Sequence, residues 1–505
     1  MSSESTTHCP LLLLLLLLLF LAGSGSAAAA SSSLPSHDGD RHHSLLSEEQ
    51  QQVERFQQYL RVRTAHPNPD YAAAVAFLSD QARSVGLLFQ TFEFVPGKPL
   101  LLLTWPGADP SLPSILLNSH MDSVPVEPDK WLHPPFAAHR DADGRIYARG
   151  AQDDKCLAVQ YLEALRALRS DPSFVPLRSI HVSLVPDEEI GGRDGAARFA
   201  ASEEFRRLKV GFVLDEGQAS PTDEFRVFYA DRTPWWLIVK AHGAPGHGSK
   251  MYDGSAVENL METMETVARF RDSQFDLVKA GLKAASEVIS VNPVYMKAGT
   301  PSPTGFVMNM QPSECEAGFD MRLPPTADPD LVRRRVSEEW APISRSLTYE
   351  VASLEEGMVM LTSQADHEVL RASTHALSFG KPHSVSASLQ GQRLPSISEK
   401  GPIRDHAGRP LVTATNETNP WWTVFNQAIG ASGAKLAKPE ILSSTTDARF
   451  MRIMGIPTLG FSPMANTPIL LHEHNEFLKD TVFLKGIRVY ENIIRSLSTL
   501  PADPL

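Results

Sequence analysis

The spacing of apolar residues predicts helices first and then an alternation of strands and helices. Ser47 and Gln50 have the spacing of a capping box, and Val53, Phe56 and Leu60 follow at helical intervals. Further helices are expected over residues 70–85 and 156–168, and strands over residues 99–104, 115–117, 179–185 and 211–214. Because strands and helices alternate, we predict an α/β domain with a mostly parallel sheet and helices on both faces.

The pattern changes after residue 234. Strands are expected over residues 235–241 and 315–323, and helices over residues 256–270 and 328–340. In the second strand, Phe319, Met321 and Leu323 alternate with Asp320 and Arg322, as in a strand with one buried face. We therefore predict that residues 235–350 form a separate α+β domain, inserted between residues 47–234 and 416–500 of the first domain.

Residues 351–415 show little periodicity and many Ser, Gly, Pro and His residues. A loop of this length is unusual in a compact domain, so we expect this segment to be irregular and disordered. Order is expected to return at residue 416, and a strand over residues 458–461 should rejoin the first sheet.

The N-terminus has the pattern of a secretory signal peptide. An unbroken leucine run, Leu11 to Leu19, precedes small residues that include Ala28-Ala29-Ala30. Residues 1–30 are therefore predicted to be a signal peptide and residues 31–46 a disordered linker, which places the chain in the secretory pathway and off the membrane after cleavage. Residues 1–10 lack Lys and Arg, so a retained anchor stays an alternative. Asn416-Glu417-Thr418 would be an N-glycosylation sequon if that segment is lumenal and exposed.

The composition narrows the classes of function. The 505 residues carry a formal net charge of −12 and no Lys/Arg run stands out, which argues against a nucleic-acid partner. The three cysteines, Cys9, Cys156 and Cys315, form no Cys-x-x-Cys pair. Any metal site must therefore use His, Asp and Glu side chains.

Ionisable residues follow the predicted buried strands. His120 and Asp122, then Glu188 and Glu189, then Glu216 come just after three of them. Two further candidates are Asp153, at the start of a helix, and His472, in the returning segment. Each alone is compatible with an ordinary turn or helix-capping residue. Because ligands bind at the carboxyl edge of open α/β sheets, the clusters together predict a metal site there.

Three segments resemble the zinc-dependent M20 family of peptidases and deacylases. They are residues 120–125 (HMDSVP), 150–155 (GAQDDK) and 186–192 (PDEEIGG). Residues 116–120 (LLNSH), 146–153 (IYARGAQD), 214–217 (LDEG) and 459–464 (LGFSPM) are most similar to its aminoacylase-1 branch. The resemblance covers roughly residues 50–350 and 400–500 and implies a two-zinc catalytic domain with an inserted lid or dimerisation domain.

The resemblance also implies roles for single residues. One zinc ion would be held by His120 and Glu216, the other by Glu189 and His472, with Asp153 bridging both. Glu188 would be the general base and Asp122 would orient His120. His247 would steady the oxyanion, often across a dimer interface. The implied substrate-binding residues are Arg322, Asn309, Asp447 and Arg449.

The charges agree with such a site. Two zinc ions bring four positive charges and three carboxylates remove three, so a deprotonated water is electrostatically favoured. An ordinary turn histidine at His247, and a solvated pair of Arg322 with Asp320, stay open as alternatives.

We therefore expect a homodimeric zinc enzyme that hydrolyses small N-acyl-L-amino acids. A dipeptidase or carboxypeptidase of the same clan would use the same metals and is the nearest alternative. A binding module without catalysis is more remote, because all five metal ligands and Glu188 are present.

Overall fold

The computed structural model describes residues 47–353 and 404–502. The predicted signal peptide and linker lie outside the described residues. Among the described residues, none of the helices combines the length and the hydrophobicity that a bilayer-spanning segment needs.

Ten α-helices are found in the described residues. They are α1 (Glu48–Arg61), α2 (Tyr71–Val85), α3 (Lys155–Ser170), α4 (Arg198–Ala200), α5 (Glu203–Leu208), α6 (Ala256–Lys279), α7 (Pro329–Arg335), α8 (Pro420–Ala431), α9 (Ala448–Ile453) and α10 (Asp480–Ser498).

The strands form one large sheet, a second sheet of four strands and several short ribbons. They are β1 (Leu88–Val95), β2 (Lys98–Trp105), β3 (Ser114–His120), β4 (His139–Arg140), β5 (Arg145–Tyr147), β6 (Ile180–Val185), β7 (Val210–Asp215), β8 (Glu224–Phe225), β9 (Val227–Asp231), β10 (Thr233–His242), β11 (Gly246–His247), β12 (Ser290–Lys297), β13 (Pro301–Ser302), β14 (Gly305–Phe306), β15 (Met310–Gln311), β16 (Glu314–Leu323), β17 (Leu347–Ser353), β18 (Lys435–Leu436), β19 (Glu440–Leu442), β20 (Thr458–Phe461) and β21 (Phe477–Lys479).

The large sheet has eight strands in the order β1-β2-β6-β3-β7-β20-β9-β19. Strands β6, β3, β7 and β20 are parallel neighbours, and β19 is parallel to β9. The remaining pairs, β1–β2, β2–β6 and β20–β9, are antiparallel. Every residue of β3 is buried, as expected for a central strand covered on both faces.

Helices cover both faces of this sheet. The core on one face includes Phe56 of α1, Leu162 of α3 and Ile493 of α10. The core on the other face includes Phe199 of α4 and Phe205 of α5. The predicted fold class, a mostly parallel α/β sheet with helices on both faces, is therefore confirmed.

The N-terminal capping box is also present. The Gln50 N–H donates to the Ser47 Oγ at 3.2 Å, and the Ser47 N–H donates to the Gln50 Oε1 at 2.8 Å. These bonds satisfy donors that the first turn of α1 would otherwise leave unpaired.

The inserted domain is an antiparallel sheet in the order β12-β16-β10-β17, with α6 packed against it. Arg232 is the one residue between β9 of the large sheet and β10 of this sheet. In β16 the predicted alternation is present, because Phe319, Met321 and Leu323 are buried while Asp320 and Arg322 are only partly so. The four-stranded sheet and its helices share a hydrophobic core that is separate from the cores of the large sheet.

Residues 351–415 are the segment in which disorder is expected, and the structure describes its two ends, residues 351–353 and 404–415. Strand β17 continues to Ser353, because it pairs with β10 along its length. Residues 404–415 have an irregular backbone, yet the Thr413 hydroxyl donates to the Thr458 carbonyl at 2.7 Å and Leu411 is buried. These two ends are therefore ordered, whereas residues 354–403 lie outside the described residues, so the expectation of disorder for much of the segment stays a prediction.

The two cysteines of the described chain, Cys156 and Cys315, are buried free thiols. Asn416 is exposed, and its Oδ1 accepts from the Thr418 hydroxyl at 2.6 Å. The sequon is therefore accessible, and its glycosylation stays a prediction.

Candidate active site

The candidate site lies at the carboxyl ends of three neighbouring parallel strands. His120 is the last residue of β3, Glu188 and Glu189 form a turn soon after β6, and Glu216 follows β7. Because β6, β3 and β7 lie side by side, their ends meet at one edge of the sheet. The structure thus brings together three polar clusters that are far apart in the sequence.

His120 is buried, and both of its ring nitrogens contact oxygen atoms. Nε2 lies 3.0 Å from Oδ1 of Asp153 and 3.9 Å from Oε1 of Glu216. Nδ1 lies 3.0 Å from the backbone carbonyl oxygen of Asp122 and 3.5 Å from its carboxylate. A proton on Nδ1 shared with that carbonyl would leave Nε2 to bind a cation. The sequence suggested that the Asp122 carboxylate orients His120. In the structure, the backbone carbonyl of Asp122 lies closer to the ring than its carboxylate does.

Asp153 lies between the two histidines of the site. Its Oδ1 contacts Nε2 of His120, and its Oδ2 lies 3.3 Å from Nε2 of His472. The same His472 nitrogen lies 3.1 Å from Oε2 of Glu189. Hydrogen bonds to the Asp153 and Glu189 carboxylates raise the pKa of His472 to about 10. The Asp153 carboxylate therefore contacts both histidines, and its role as a ligand to two metal ions stays a prediction.

Two groups of possible metal ligands share His120. The ligand atoms of His120, Asp153 and Glu189 all lie within 4.8 Å of one another, and so do those of His120, Asp154 and Glu216. Asp154 was not predicted as a site residue. Its carboxylate accepts from the Ser119 hydroxyl at 2.9 Å and from the His120 N–H at 3.3 Å. The only sequence signal for it was its place next to Asp153.

The donor set fits a metal ion. Among the described residues, the carboxylates of Asp153, Glu189 and Glu216 form ion pairs with histidine and with no Lys or Arg. Burial, followed by repulsion from Asp153, raises the pKa of both glutamates. Buried carboxylates need paired charge or a coordinated metal, and mixed imidazole and carboxylate donors suit zinc and similar divalent ions.

The Asp122 carboxylate fixes the turn that carries the two glutamates. Its Oδ1 and Oδ2 accept the backbone N–H groups of Glu188 and Glu189 at 3.2 and 3.1 Å. Oδ2 also lies 2.9 Å from Nε2 of His66. Burial favours the neutral acid, but the hydrogen bonds with His120 and His66 lower the pKa of Asp122 to about 2. The carboxylate therefore stays charged and holds the turn, a role that sequence reasoning missed.

Glu188 belongs to neither group of possible metal ligands. Burial raises the pKa of its carboxyl well above the ordinary value, although the nearby His120 opposes this shift. A buried carboxyl with a raised pKa beside a cluster of possible metal ligands is a candidate for proton transfer in catalysis.

Asp447 and Arg449 pack against the turn beyond Glu188. The Arg449 Nη2 donates to the carbonyl of Gly191 at 2.7 Å. Asp447 is so close to Gly192 that a Cβ on the glycine would lie 2.1 Å from its Oδ1. Both Asp447 carboxylate oxygens are buried without a hydrogen-bond partner in the described chain, and burial raises the pKa of this group. The two residues therefore lie at the edge of the site, and their contact with substrate stays a prediction.

His247 and Asn309 are neighbours in the inserted domain. The Gly248 N–H, next to His247, donates to the Asn309 carbonyl at 2.8 Å. His247 is exposed, and its Nδ1 lies 2.8 Å from the Ser249 hydroxyl. No hydrogen bond within the described part of the chain joins either residue to the cluster around His120. Their catalytic roles stay predictions.

Arg322 is paired with Asp320, the alternative that the sequence left open. Its Nε and Nη2 donate to the two carboxylate oxygens at 2.7 and 2.9 Å. Both side chains line an open depression of about 430 Å³ that also includes Arg232 and Ser443. Gln218, two residues after Glu216, lines the same depression. The guanidinium therefore faces a space that adjoins the segment carrying a possible metal ligand.

A second residue that the sequence did not reveal is Glu476. Its Oε2 accepts from the Arg149 guanidinium at 2.7 Å, and its Oε1 accepts the backbone N–H groups of Gln152 at 2.6 Å and Asp153 at 3.3 Å. This buried carboxylate holds the loop that presents Asp153. Its only sequence signal was its place soon after His472 and His474.

The α/β fold, with carboxylates and histidines clustered at the carboxyl edge of its sheet, defines the class as a metal-dependent enzyme. The sequence profile of Peptidase family M20/M25/M40 matches residues 116–496. The chain belongs to this family, which confirms the resemblance inferred from the motifs.

Individual proteins that are similar to this chain support the family assignment. Aminoacylase-1 of Sus scrofa is 39% identical over 453 residues, which cover 90% of this chain and 96% of the relative. Aminoacylase-1 of Homo sapiens is 38% identical with the same coverage. The crystal structure of the M20 family metallo-carboxypeptidase Sso-CP2 from Sulfolobus solfataricus is similar in fold, with a TM-score of 0.59 at 15% identity, and covers 90% of this chain and 100% of that one.

Proposed function

We propose that this protein hydrolyses the amide bond of N-acyl-L-amino acids and that it uses two zinc ions per chain. The observation that carries the proposal is the Asp153 carboxylate between His120 and His472, with Glu188 beside them. The similarity to proteins named aminoacylase-1, along 90% of the chain, supports the substrate class.

In this proposal, His120 and Glu216 would hold one zinc ion, Glu189 and His472 would hold the other, and Asp153 would serve as a ligand to both. Asp154 is a further candidate for the first ion, because its carboxylate lies with His120 and Glu216. When bound, zinc supplies Lewis acidity, which polarises an acyl carbonyl and lowers the pKa of a water molecule to about 7.

Glu188 moves the proton. Its carboxylate takes a proton from the attacking water and then gives it to the departing nitrogen, so that the amine leaves as a neutral group. The raised pKa of this carboxyl favours holding the proton between the two transfers. Asp122 supports the step, because it fixes the backbone N–H of Glu188.

Residues of the inserted domain hold the substrate. Arg322 offers a planar guanidinium to the free α-carboxylate, which would compete with Asp320 for the same two N–H donors. In this proposal, Asn309 also binds the substrate. His247 steadies the oxyanion, and we propose that it does so across a homodimer. Strand β12 lies at the edge of its sheet with exposed Val294 and Met296, which supports pairing with a second copy.

A substrate panel tests the reaction. Purified protein should hydrolyse N-acetyl-L-methionine far faster than N-acetyl-L-methioninamide, which lacks the α-carboxylate, and faster than methionine dipeptides. Metal content measured by mass spectrometry should be two zinc ions per chain. Preference for the dipeptides would identify the alternative enzyme of the same clan, and binding without turnover would identify a binding module.

We further propose that residues 1–30 direct the chain into the secretory pathway. A fluorescent fusion of the full chain should enter that pathway in eukaryotic cells. Replacing two leucines of the Leu11–Leu19 run by arginine should keep it in the cytosol. A wild-type fusion that stays cytosolic would contradict the proposal.

A further inference from the structure

The turn that carries Glu188 and Glu189 has an uncommon backbone. Asp187 has a φ of +69°, and Gly191 and Gly192 have φ values of +109° and +63°. Glycine adopts such angles freely, but a residue with a Cβ seldom does, although Asp is among the more tolerant. Asp187 directly precedes the two glutamates, so contacts from the surrounding structure must keep it in this conformation.

Tyr71 supplies two of those contacts through one oxygen atom. The Asp187 N–H donates to the Tyr71 hydroxyl at 3.1 Å, and the hydroxyl donates to Oδ1 of Asp187 at 3.0 Å. Burial raises the pKa of Tyr71, so the hydroxyl stays protonated and remains a donor. Tyr71 is itself fixed, because it begins α2 and the Asp70 side chain caps that helix by accepting from the Ala73 N–H.

Lys98 holds the opposite side of Asp187. Its Nζ contacts Oδ2 of Asp187 and lies 2.6 Å from Oδ2 of Asp194, so one ammonium group ties both ends of the turn. Asp122 binds the next two backbone N–H groups. The turn is therefore anchored from α2, from β2 and from the end of β3.

We infer that Tyr71 is a positioning residue for the glutamate turn: its hydroxyl locks Asp187 in the left-handed conformation and so directs Glu188 and Glu189 into the site. This inference rests on the proposed function only for its kinetic readout. The hydroxyl hydrogen-bonds neither to the metal-ligand groups nor to Glu188 itself, and both of its hydrogen bonds are with Asp187.

The test compares Tyr71→Phe with Tyr490→Phe. Tyr490 is also buried, and its hydroxyl donates one hydrogen bond, to the Phe461 carbonyl at 2.9 Å. Tyr71→Phe should speed amide hydrogen exchange at Glu188 and Glu189. It should also lower kcat by about 10- to 100-fold, the usual scale for residues that orient catalytic groups, while KM changes little. Tyr490→Phe should lower stability but leave both the exchange at the turn and kcat unchanged.

The outcomes separate this inference from the proposed function. If Tyr71→Phe leaves turn exchange at the wild-type rate, or if both variants lower kcat equally, Tyr71 is only a structural residue and the inference is overturned. If the wild-type protein hydrolyses no N-acyl amino acid, the proposed function fails, and the exchange comparison still decides the role of Tyr71. Should Tyr71→Phe not fold, Asp187→Asn replaces the carboxylate that accepts from the Tyr71 hydroxyl by a weaker acceptor, and Asn also tolerates a positive φ. It should speed the same exchange, and unchanged exchange would overturn the inference.

Discussion

Replacing Gly192 by alanine should be far more damaging than the loss of one glycine suggests. Gly192 has a φ of +63°, and a Cβ there would lie 2.1 Å from Oδ1 of Asp447 and 2.9 Å from Cε2 of Phe450. The left-handed backbone costs an alanine about 1–2 kcal/mol. Forcing an extra methyl group against packed neighbours adds about 1–3 kcal/mol. We therefore expect a total loss of about 2–5 kcal/mol in the free energy of unfolding.

Gly97→Ala is the matched control, because it shares the backbone cost without the collision. Gly97 has a φ of +80°, and no atom lies within 4 Å of the added Cβ. Only about 1–2 kcal/mol should be lost there. Calorimetric unfolding of both variants measures the difference, at no more than roughly 2–4 °C of midpoint per kcal/mol, the range for domains of 150–250 residues.

Two results would refute the reasoning. Equal destabilisation by Gly192→Ala and Gly97→Ala would mean that the collision does not exist. An Asp447→Ala change that fails to relieve any of the Gly192→Ala loss would mean that Asp447 is not the obstacle, since contacting residues should couple in a double-mutant cycle. Gly192→Ala should also lower kcat, because the same turn carries Glu188.

Three further predictions concern the proposed chemistry and assembly. Glu188→Gln should lower kcat by at least about 100-fold and leave the metal content unchanged. The control Glu204→Gln, on α5, should change neither kcat nor metal content. If Glu188→Gln loses metal, Glu188 is a ligand. Mixing inactive His247→Ala chains with inactive Glu188→Gln chains should restore part of the activity after subunit exchange, because one site of each mixed dimer then has both residues intact. A fully active monomer would exclude a role of His247 in the partner's site. Replacing residues 354–398 by a glycine–serine linker should preserve activity and metal content, because β17 and Thr413 are held by their own contacts; a chain that no longer folds would disprove this.

Much of the fold could be predicted because the sequence signals were local. The capping box at Ser47 and the alternation in β16 each report a neighbourhood of a few residues. The ends of the irregular segment could not be predicted in this way. Thr413 is ordered by a hydrogen bond to Thr458, and no periodicity marks a partner 45 residues away.

In the candidate site too, only the residues with a local sequence signal could be predicted. His120, Glu188 and Glu216 could be found because each lies at or just after the end of an apolar strand. Asp154 and Glu476 could not, because their significance depends on where their oxygens point. Asp154 turns back to the Ser119 hydroxyl, and Glu476 reaches the backbone before Asp153.

The order of strands explains why residues so far apart in the sequence meet. Strands β6, β3, β7 and β20 are adjacent and parallel, so the segments after β6, β3 and β7 must emerge at one edge. The inserted domain leaves the sheet after β9 and the chain returns through β19 and β20, so His472 can reach that edge from the C-terminal part. Its contacts with Asp153 and Glu189 then join the two parts of the large-sheet domain. A metal ion bound by His472 and Glu189 would therefore stabilise that domain as well as supply its chemistry, since ligands that bind only the folded state raise its stability.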